Sequence, residues 1–401
     1  MNAVPAPVAD SSSAATWPER GRSGGSGSGP DDGGRHGGGG ERRRRREVGR
    51  IKGIDMARGL AMAGMVVVHF VSRFQEPDRT LTEAAGLFHG RAMPLFMLLG
   101  GVGVSLLTTR SATPNRDLAI RAVLLFSLGL YLTETIDRLA IVLPSYGLLF
   151  VVAMALRRSP SALLLALVPT ITAIGAVTYQ TVGDPREATT YDSLLETEGI
   201  ESLLFDGFYP LFPVAAFFVF GLWLGRLDLR SDSTATALTV GGLATAVGTW
   251  VLTASLVSGL DLATRVGGAG DDGRFQWPRL LDLDGHSAMP VWVLSALGTS
   301  SAVLGLSLLI ARRVPGLVRP LIAVGSMSLT FYVFQAWLTN LVPDTTETSV
   351  GVEWLYAIGV YVTFTVFALM WRLRFRSGPL ERILRIGSGP KRLTPAPAEA
   401  G

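Results

Sequence analysis

The chain has 401 residues, of which 48% are hydrophobic and only 17% are charged. A soluble protein of this size needs a charged surface, so the composition excludes an ordinary water-soluble globular protein. Cysteine is absent, which excludes disulfides, a thiolate nucleophile and cysteine-ligated zinc or iron–sulfur centres.

Residues 1–50 are rich in Gly, Ser, Pro and Arg and predict a disordered, basic cytosolic tail. Membrane orientation explains the run from Arg42 to Arg46, with an anionic-lipid tether or a nucleic-acid arm as the alternative. The basic excess of the chain as a whole favours contact with anionic membrane lipid, and we expect no nucleic acid partner. The apolar stretch that follows continues into His69 without a cleavage site, which predicts a retained helix rather than a signal peptide. Residues 389–401 predict a second disordered tail.

Residues 51–388 contain the apolar segments of the chain. A transmembrane helix needs about 20 mostly apolar residues. Candidate segments lie at 54–72, 92–109, 117–135, 138–156, 160–180, 207–225, 235–258, 288–311, 320–341 and 352–373. The pattern predicts an all-α fold, a polytopic membrane helix bundle of about ten transmembrane helices.

Charged residues alternate between the loops. The loops on one side carry Arg110 with Arg116, Arg157 with Arg158, Arg226 with Arg230, and Arg312 with Arg313, whereas the loop 181–206 is acidic. The positive-inside rule therefore places both termini in the cytosol and predicts a multi-pass protein of the plasma membrane.

Glycines in two predicted helices indicate close helix packing. Gly100, Gly101 and Gly103 lie in the second segment, and Gly241 and Gly242 in the seventh. Small residues allow helix backbones to approach each other in a membrane.

Polar residues inside apolar segments are costly and therefore informative. Asp55 and Arg58 are three residues apart, so they share a helix face and can pair at the cytosolic mouth of the bundle. An ordinary helix end with a snorkelling arginine is the alternative.

The histidines are predicted to lie on the outer side of the membrane. His69 is about 21 Å along the first helix from Asp55, and His89 precedes the second helix together with Arg91. His286 precedes the eighth helix. A neutral histidine can accept a proton near neutral pH, but an interfacial hydrogen-bonded role is equally compatible. Their spacing does not match a metal-binding motif, so we predict no metal site.

Several segments resemble known membrane families. Ile54 to Ala61 with His69 resembles the first-helix signature of membrane acyltransferases. The segments 90–103, 207–227 and 325–335 resemble the bacterial YeiB/DUF418-like family and the heparan-alpha-glucosaminide N-acetyltransferase (DUF1624) catalytic group. Gly378 to Glu381 with Arg385 resembles the DUF418 C-terminal end. The resemblance covers about residues 50–388.

This resemblance implies a transmembrane acyltransferase fold. The characterised branch transfers an acetyl group from cytosolic acetyl-CoA to a glycan amine across the membrane. The position of that branch's catalytic histidine falls near Thr80, whereas His69 matches the first-helix histidine of a broader acyltransferase group. Only the superfamily activity is therefore carried over.

The leading hypothesis is transfer of an acyl group, with acetyl preferred, from acyl-CoA to an extracytoplasmic glycan or other polar acceptor. His69 or His89 would be the general base, and Arg91 would stabilise the oxyanion. Acceptor contacts are expected from Asp55, Arg58, Trp277, His286 and Gln335. The CoA phosphates would meet Arg110, Arg116 and Arg121.

Two other functions remain open at this stage. A transporter or exporter of a small solute would also use buried polar residues, although the absence of a clear repeat disfavours many transporter folds. A non-catalytic membrane protein is the third option. No permanently bound cofactor is expected, since acyl-CoA is a substrate, and a homodimer is one oligomeric state compatible with the sequence.

Overall fold

The computed structural model describes residues 50–71, 79–136, 138–182, 202–206, 211–266, 275–341 and 349–386. The two predicted tails, apart from Arg50, and most of the acidic loop lie outside these ranges. The helices are α1 (Lys52–Phe70), α2 (Arg79–Gly86), α3 (Ala92–Arg110), α4 (Pro114–Thr133), α5 (Leu143–Leu156), α6 (Ser161–Val182), α7 (Leu211–Leu224), α8 (Asp232–Gly259), α9 (Ala263–Val266), α10 (Pro290–Arg313), α11 (Arg319–Gly325), α12 (Ser328–Leu341), α13 (Val350–Arg374) and α14 (Pro379–Ile386).

The helical architecture confirms the predicted polytopic membrane fold. Within the described residues, six helices are long and apolar enough to cross a membrane, namely α1, α3, α6, α8, α10 and α13. The bent pair α11 and α12 makes a seventh span if it is counted as one. The other three predicted segments correspond to the shorter apolar helices α5 and α7 and to α4, which carries Arg116, Asp117 and Arg121.

One predicted span is not continuous. The segment 320–341 was expected to form a single helix, but it breaks between α11 and α12 with a bend of 79°. The carboxylate of Glu381 accepts hydrogen bonds from the backbone N–H groups of Leu329 at 2.8 Å and Thr330 at 3.1 Å. These N–H groups therefore have a partner without a preceding helical turn, which stabilises the separate start of α12.

Three helices form the interior of the bundle. Buried residues make up 72% of the apolar window of α1, 61% of that of α3 and 67% of that of α10, compared with 22% in each of α6, α8 and α13. The three interior helices pack against one another. The outer three expose most of their apolar surface, as expected for helices that contact lipid.

Glycines hold two helix pairs in close contact. A Cβ atom on Gly101 would collide with the backbone of Phe218 in α7, and one on Gly242 would collide with the backbone of Gly298 in α10. Gly100 instead leaves space for the side chain of Tyr146 in α5, and Gly103 leaves space for that of Arg58 in α1. The prediction of close helix approach is confirmed for Gly101 and Gly242, whereas Gly100 and Gly103 accommodate side chains, and it is wrong for Gly241, which faces open space.

Among the interior helices, α3 and α10 both run antiparallel to α1. Gly64 of α1 lies beside Ala92 at the start of α3, whereas Arg58 reaches Leu99 further along α3. Gly53 lies against Leu308, so α10 is also antiparallel to α1. The end of α1 and the starts of α3 and α10 therefore share one end of the bundle.

We call the end that carries His69, His89 and His286 the histidine end. The opposite end carries the start of α1 and the ends of α3 and α10. We call it the arginine end, after Arg110 and Arg312.

Candidate functional site

Two of the predicted histidines meet at the histidine end. The ring centroids of His89 and His286 are 5.0 Å apart, with an angle of 70° between the ring planes. His89 lies in the turn before α3, and His286 lies in the loop before α10. The contact joins two residues that are almost two hundred positions apart in the chain.

The loop that carries His286 is attached to the end of α6. Tyr179 donates a hydrogen bond from its hydroxyl to the carbonyl oxygen of His286 at 3.0 Å. The side-chain oxygen of Gln180 accepts a hydrogen bond from the backbone N–H of Gln276 at 2.8 Å. These two hydrogen bonds with the end of α6 therefore fix the position of the loop that carries His286.

The backbone at the contact is tightly constrained. His286 has φ 67° and Gly90 has φ 64°, both in the left-handed region. A left-handed conformation costs a side-chain-bearing residue about 1–2 kcal/mol, so the strain at His286 must be compensated by its surroundings. A Cβ atom on Gly90 would collide with Gly285, which explains the glycine at that position.

Trp292 forms the inner wall of this region. Its side chain is 2% exposed, and its ring centroid lies 6.1 Å from that of His286. Phe217 of α7 packs edge-on against the indole at 5.5 Å. The indole thus packs between α7 and the loop that carries His286.

Several buried polar atoms at the histidine end have no hydrogen-bond partner among the described residues. They are Nδ1 of His69, Nη1 of Arg91 and Nε1 of Trp292. An unpaired buried polar group costs about 1–3 kcal/mol, so three of them at one end of the bundle make this end the candidate ligand site. Burial also lowers the pKa of Arg91 from its usual value.

Gln335 lies in the interior on the same face of α12 as Tyr332. It is fully buried, and neither polar atom of its amide has a hydrogen-bond partner among the described residues. Tyr332 stacks on Phe96 of α3 with ring centroids 6.5 Å apart. Gln335 is one turn further towards the histidine end, at about the level where α3 begins.

Asp55 and Arg58 form the ion pair predicted from their spacing. Arg58 Nη1 lies 3.6 Å from an oxygen of Asp55, and Nη2 donates to the carbonyl of Leu99 at 3.4 Å. Tyr146 donates to the carbonyl of Phe96 at 2.7 Å, beside Gly100. A buried polar group therefore lies between α1 and α3, deeper in the bundle than the histidines.

The three arginines predicted to contact CoA do not form a single cluster. Arg110 is exposed and near Arg230, and Arg116 is exposed in the first turn of α4. Arg121 is half-buried, near Asp117 and Arg385 of α14. Arg110 ends α3, whereas Arg116 and Arg121 both lie on α4, and all three lie towards the arginine end.

Trp277 is placed away from the histidine contact. Its side chain is 51% exposed at the start of the short 3-10 turn Trp277–Leu281. Within the described part of the chain, no ring contact joins it to either histidine. No group of three His, Cys, Asp or Glu side chains that could hold a metal ion occurs there either.

Sequence reasoning passed over Trp292, Tyr179 and Glu353. Trp292 stands near the start of an apolar helix, where tryptophan commonly lies at the lipid interface, so its burial gave no local signal. Tyr179 is likewise an ordinary residue for the end of a membrane helix. Glu353 is fully buried in the first turn of α13, where an acidic residue is common because of the helix dipole.

The fold and the site together define a polytopic helical membrane protein with an internal polar site at one end of its bundle. Residues 50–257 match the model of the family described as heparan-alpha-glucosaminide N-acetyltransferase, catalytic, and residues 276–389 match the DUF418 family of unknown function. The first match covers more than half of the chain. The chain therefore belongs to the heparan-alpha-glucosaminide N-acetyltransferase catalytic family, a family of membrane acyltransferases. No curated protein matches the chain.

The boundary between the two matches divides the site. His89, Arg91 and the Asp55–Arg58 pair lie in the first matched region, whereas His286, Trp292 and Gln335 lie in the second. The ring contact of His89 and His286 joins the two regions.

Proposed function

We propose that the protein transfers an acyl group, in the first instance acetyl, from acyl-CoA to a polar acceptor bound at the histidine end. The observation that carries this proposal is the contact between His89 and His286 beside buried donors that lack partners. A proton acceptor next to hydrogen-bond donors is the arrangement that acyl transfer requires.

The chemical step needs one base and one oxyanion site. The acceptor hydroxyl or amine attacks the carbonyl carbon of the thioester, and its proton passes to the His89–His286 pair. The π electrons of the carbonyl move onto its oxygen, which becomes an oxyanion near Arg91. When the oxyanion collapses, the C–S bond breaks, and the CoA thiolate leaves and takes up the proton.

The polar side chains of Arg58 and Tyr146 beside α3 provide a binding position for the acyl-CoA donor. The helix α3 is about 28 Å long, so CoA phosphates at the arginine end would be separated from the histidines by most of the membrane. Arg58 and Tyr146 lie between these two positions and provide polar contacts along the helix. Donor entry from the arginine end, and acceptor binding at the other, agrees with the positive-inside orientation.

His89 is the preferred base over His69 within this proposal. His89 has a second ring in contact, which can orient it and share the proton, whereas Nδ1 of His69 has no hydrogen-bond partner among the described residues. A base that is oriented by a neighbouring group is the recurring pattern in nucleophile activation. His69 remains the second candidate.

Solute transport is a second candidate function, favoured by the break between α11 and α12. Discontinuous helices often form the substrate site of secondary transporters. The break here is 79°, and it lies beside Asp55 of α1. Proton-coupled flux of a small solute without any acyl transfer would support this function instead.

The test uses purified protein in liposomes with labelled acetyl-CoA inside and amino-sugar oligosaccharides outside. We expect His89→Ala and His286→Ala each to lower kcat by about 10²–10⁴-fold, the usual contribution of a general base. The matched control is His36→Ala in the tail, which should keep full turnover. Wild-type turnover in both site variants would refute the base assignment.

A double variant tests whether the two histidines act as a unit. If they do, His89→Ala combined with His286→Ala should lose little more activity than either single change. Multiplied losses would mean that the histidines act independently. His69→Ala in the same assay tests the second candidate.

A further inference from the structure

The indole N–H of Trp292 is a buried donor with nothing in the described structure to accept its hydrogen bond. An indole nitrogen can only donate, and buried tryptophans usually have a partner for this group. The ring is fixed by Phe217 on one side and lies near His286 on the other. Its orientation is therefore set by packing rather than by a hydrogen bond.

Gly90 lies directly beside this donor. A Cβ atom on Gly90 would be only 3.0 Å from Nε1 of Trp292. The indole N–H thus lies next to the turn that contains His89 and Arg91. A glycine here keeps the vicinity of the donor free of a side chain.

The surroundings define the chemistry of the missing partner. Arg91, like Trp292, can only donate, and its Nη1 is also unpaired among the described residues. His89, which can accept a proton, belongs to the same turn and contacts His286. Donors beside a proton acceptor correspond to the two requirements of acyl transfer, one for the oxygen that gains charge and one for the attacking group.

We propose that the Trp292 indole N–H donates a hydrogen bond to the carbonyl oxygen of the acyl group and stabilises the oxyanion formed from it. This inference rests on the proposed function. No proton leaves the indole, which contributes a fixed neutral donor while the proton of the acceptor goes to the histidines. Arg91 contributes the positive charge.

The kinetic test compares Trp292→Phe with wild type and with Trp250→Phe. The phenylalanine keeps an aromatic ring but removes the donor, and Trp250 is a matched control because it is 62% exposed on α8. We expect Trp292→Phe to lower kcat by about 10²–10³-fold, as for loss of one oxyanion donor, with KM values for both substrates nearly unchanged. Trp292→His, which can retain a donor, should recover part of kcat.

Two kinetic outcomes would overturn the inference. Unchanged kcat in Trp292→Phe would show that the donor is not used. A raised KM for the acceptor at unchanged kcat would show that the indole binds the acceptor and not the acyl oxygen.

A binding measurement separates this inference from the proposed function. The probe is S-acetonyl-CoA, a ketone that carries the carbonyl oxygen but cannot transfer its acyl group. In ¹⁵N-tryptophan protein, we expect the probe to shift one indole N–H resonance that Trp292→Phe removes and Trp250→Phe retains. If the resonance shifts but the wild-type protein shows no turnover, Trp292 binds the carbonyl but the protein does not transfer acyl groups. If the wild-type protein is active but the resonance does not shift, the proposed role of Trp292 is wrong. If Trp292→Phe fails to fold, the same test is made by comparing the indole N–H resonances of the wild-type protein with those of Trp292→His, which also lacks the Trp292 resonance.

Discussion

Arginine side chains at the two ends of the bundle have different surroundings. At the histidine end, atoms of His69, Arg91 and Trp292 are buried without hydrogen-bond partners among the described residues. At the arginine end, Arg226 donates to the carbonyl of Ser159 at 2.6 Å, and Arg312 donates to that of Leu229 at 2.6 Å. The same residue type is therefore left unpaired at one end and paired with backbone at the other.

The partners at the arginine end are parts of the fold itself. Arg226 lies close to the last carbonyls of α5, and Arg312 also pairs with Asp232 of α8. Cations at helix C-termini and anions at helix N-termini are stabilising. Arg226 and Arg312 therefore hold helices together at the arginine end, whereas Arg91 at the histidine end has a buried nitrogen without a hydrogen-bond partner among the described residues.

The largest expected effect compares two arginines. Arg91→Met should lower kcat by about 10²–10³-fold, since it removes a charged donor from the oxyanion site. Its stability should stay equal or rise, because replacing an incompletely paired buried charge by an apolar side chain is often neutral or favourable. Turnover and thermal unfolding in the same detergent measure the two quantities.

Arg312→Met is the matched control for Arg91→Met. It should lower the free energy of unfolding by about 1–2 kcal/mol through loss of its bond to Leu229, with kcat unchanged. If Arg91→Met destabilises the fold while Arg312→Met inactivates the protein, the roles assigned to the two arginines are wrong.

The next effect concerns the turn at the histidine end. Gly90→Ala should lower the free energy of unfolding by about 3 kcal/mol, because alanine is strained at φ 64° and its Cβ would meet Gly285. It should also displace His89 and reduce turnover. Gly86→Ala, where nothing lies within 4 Å of the added methyl group, is the control and should be silent. Equal stability of the two variants would contradict the tight turn.

A smaller effect tests the pairing at the arginine end. Glu381→Ala should lower the free energy of unfolding by about 2 kcal/mol, because it removes a charged acceptor from the start of α12. Glu381→Gln keeps an acceptor oxygen and should cost less. Hydrogen exchange at Leu329 and Thr330 gives a local readout, and unaltered protection in Glu381→Ala would show that the carboxylate does not stabilise the break.

The smallest effect concerns the packing between the ends. Gly242→Ala should lower the free energy of unfolding by about 1–2 kcal/mol, since its methyl group would collide with Gly298 in α10. Gly241→Ala, on the open face of the same helix, should change the free energy of unfolding much less than Gly242→Ala does. Thermal unfolding of the two variants tests whether α8 and α10 pack through one face only.

Much of the fold follows from local patterns in the chain. The predicted segment 92–109 coincides with α3, and 352–373 falls within α13, because long apolar runs in a bilayer must form helices to pair their backbone groups. The spacing of Asp55 and Arg58 predicted their contact for the same reason, since a helix fixes which residues share a face. The segment 320–341 is apolar as predicted, but its break was missed because it involves a carboxylate from α14, far along the chain.

The site was less predictable than the fold. Alternating helix direction was enough to group His69, His89 and His286 at one end. It did not show that His89 contacts His286, since that contact depends on a loop attached to Tyr179 and Gln180 of α6. The importance of Trp292 depends on the absence of a partner for its N–H, which is a property of its surroundings.

The sequence alone determined that this protein is a polytopic helical membrane protein and which end of each helix carries histidine or arginine. Apolar length and helical periodicity are local properties, and a bilayer translates them directly into spans. Only the tertiary structure decided which polar groups are paired and which have no hydrogen-bond partner among the described residues. Such pairing depends on contacts between distant segments, which the order of residues along one helix does not encode.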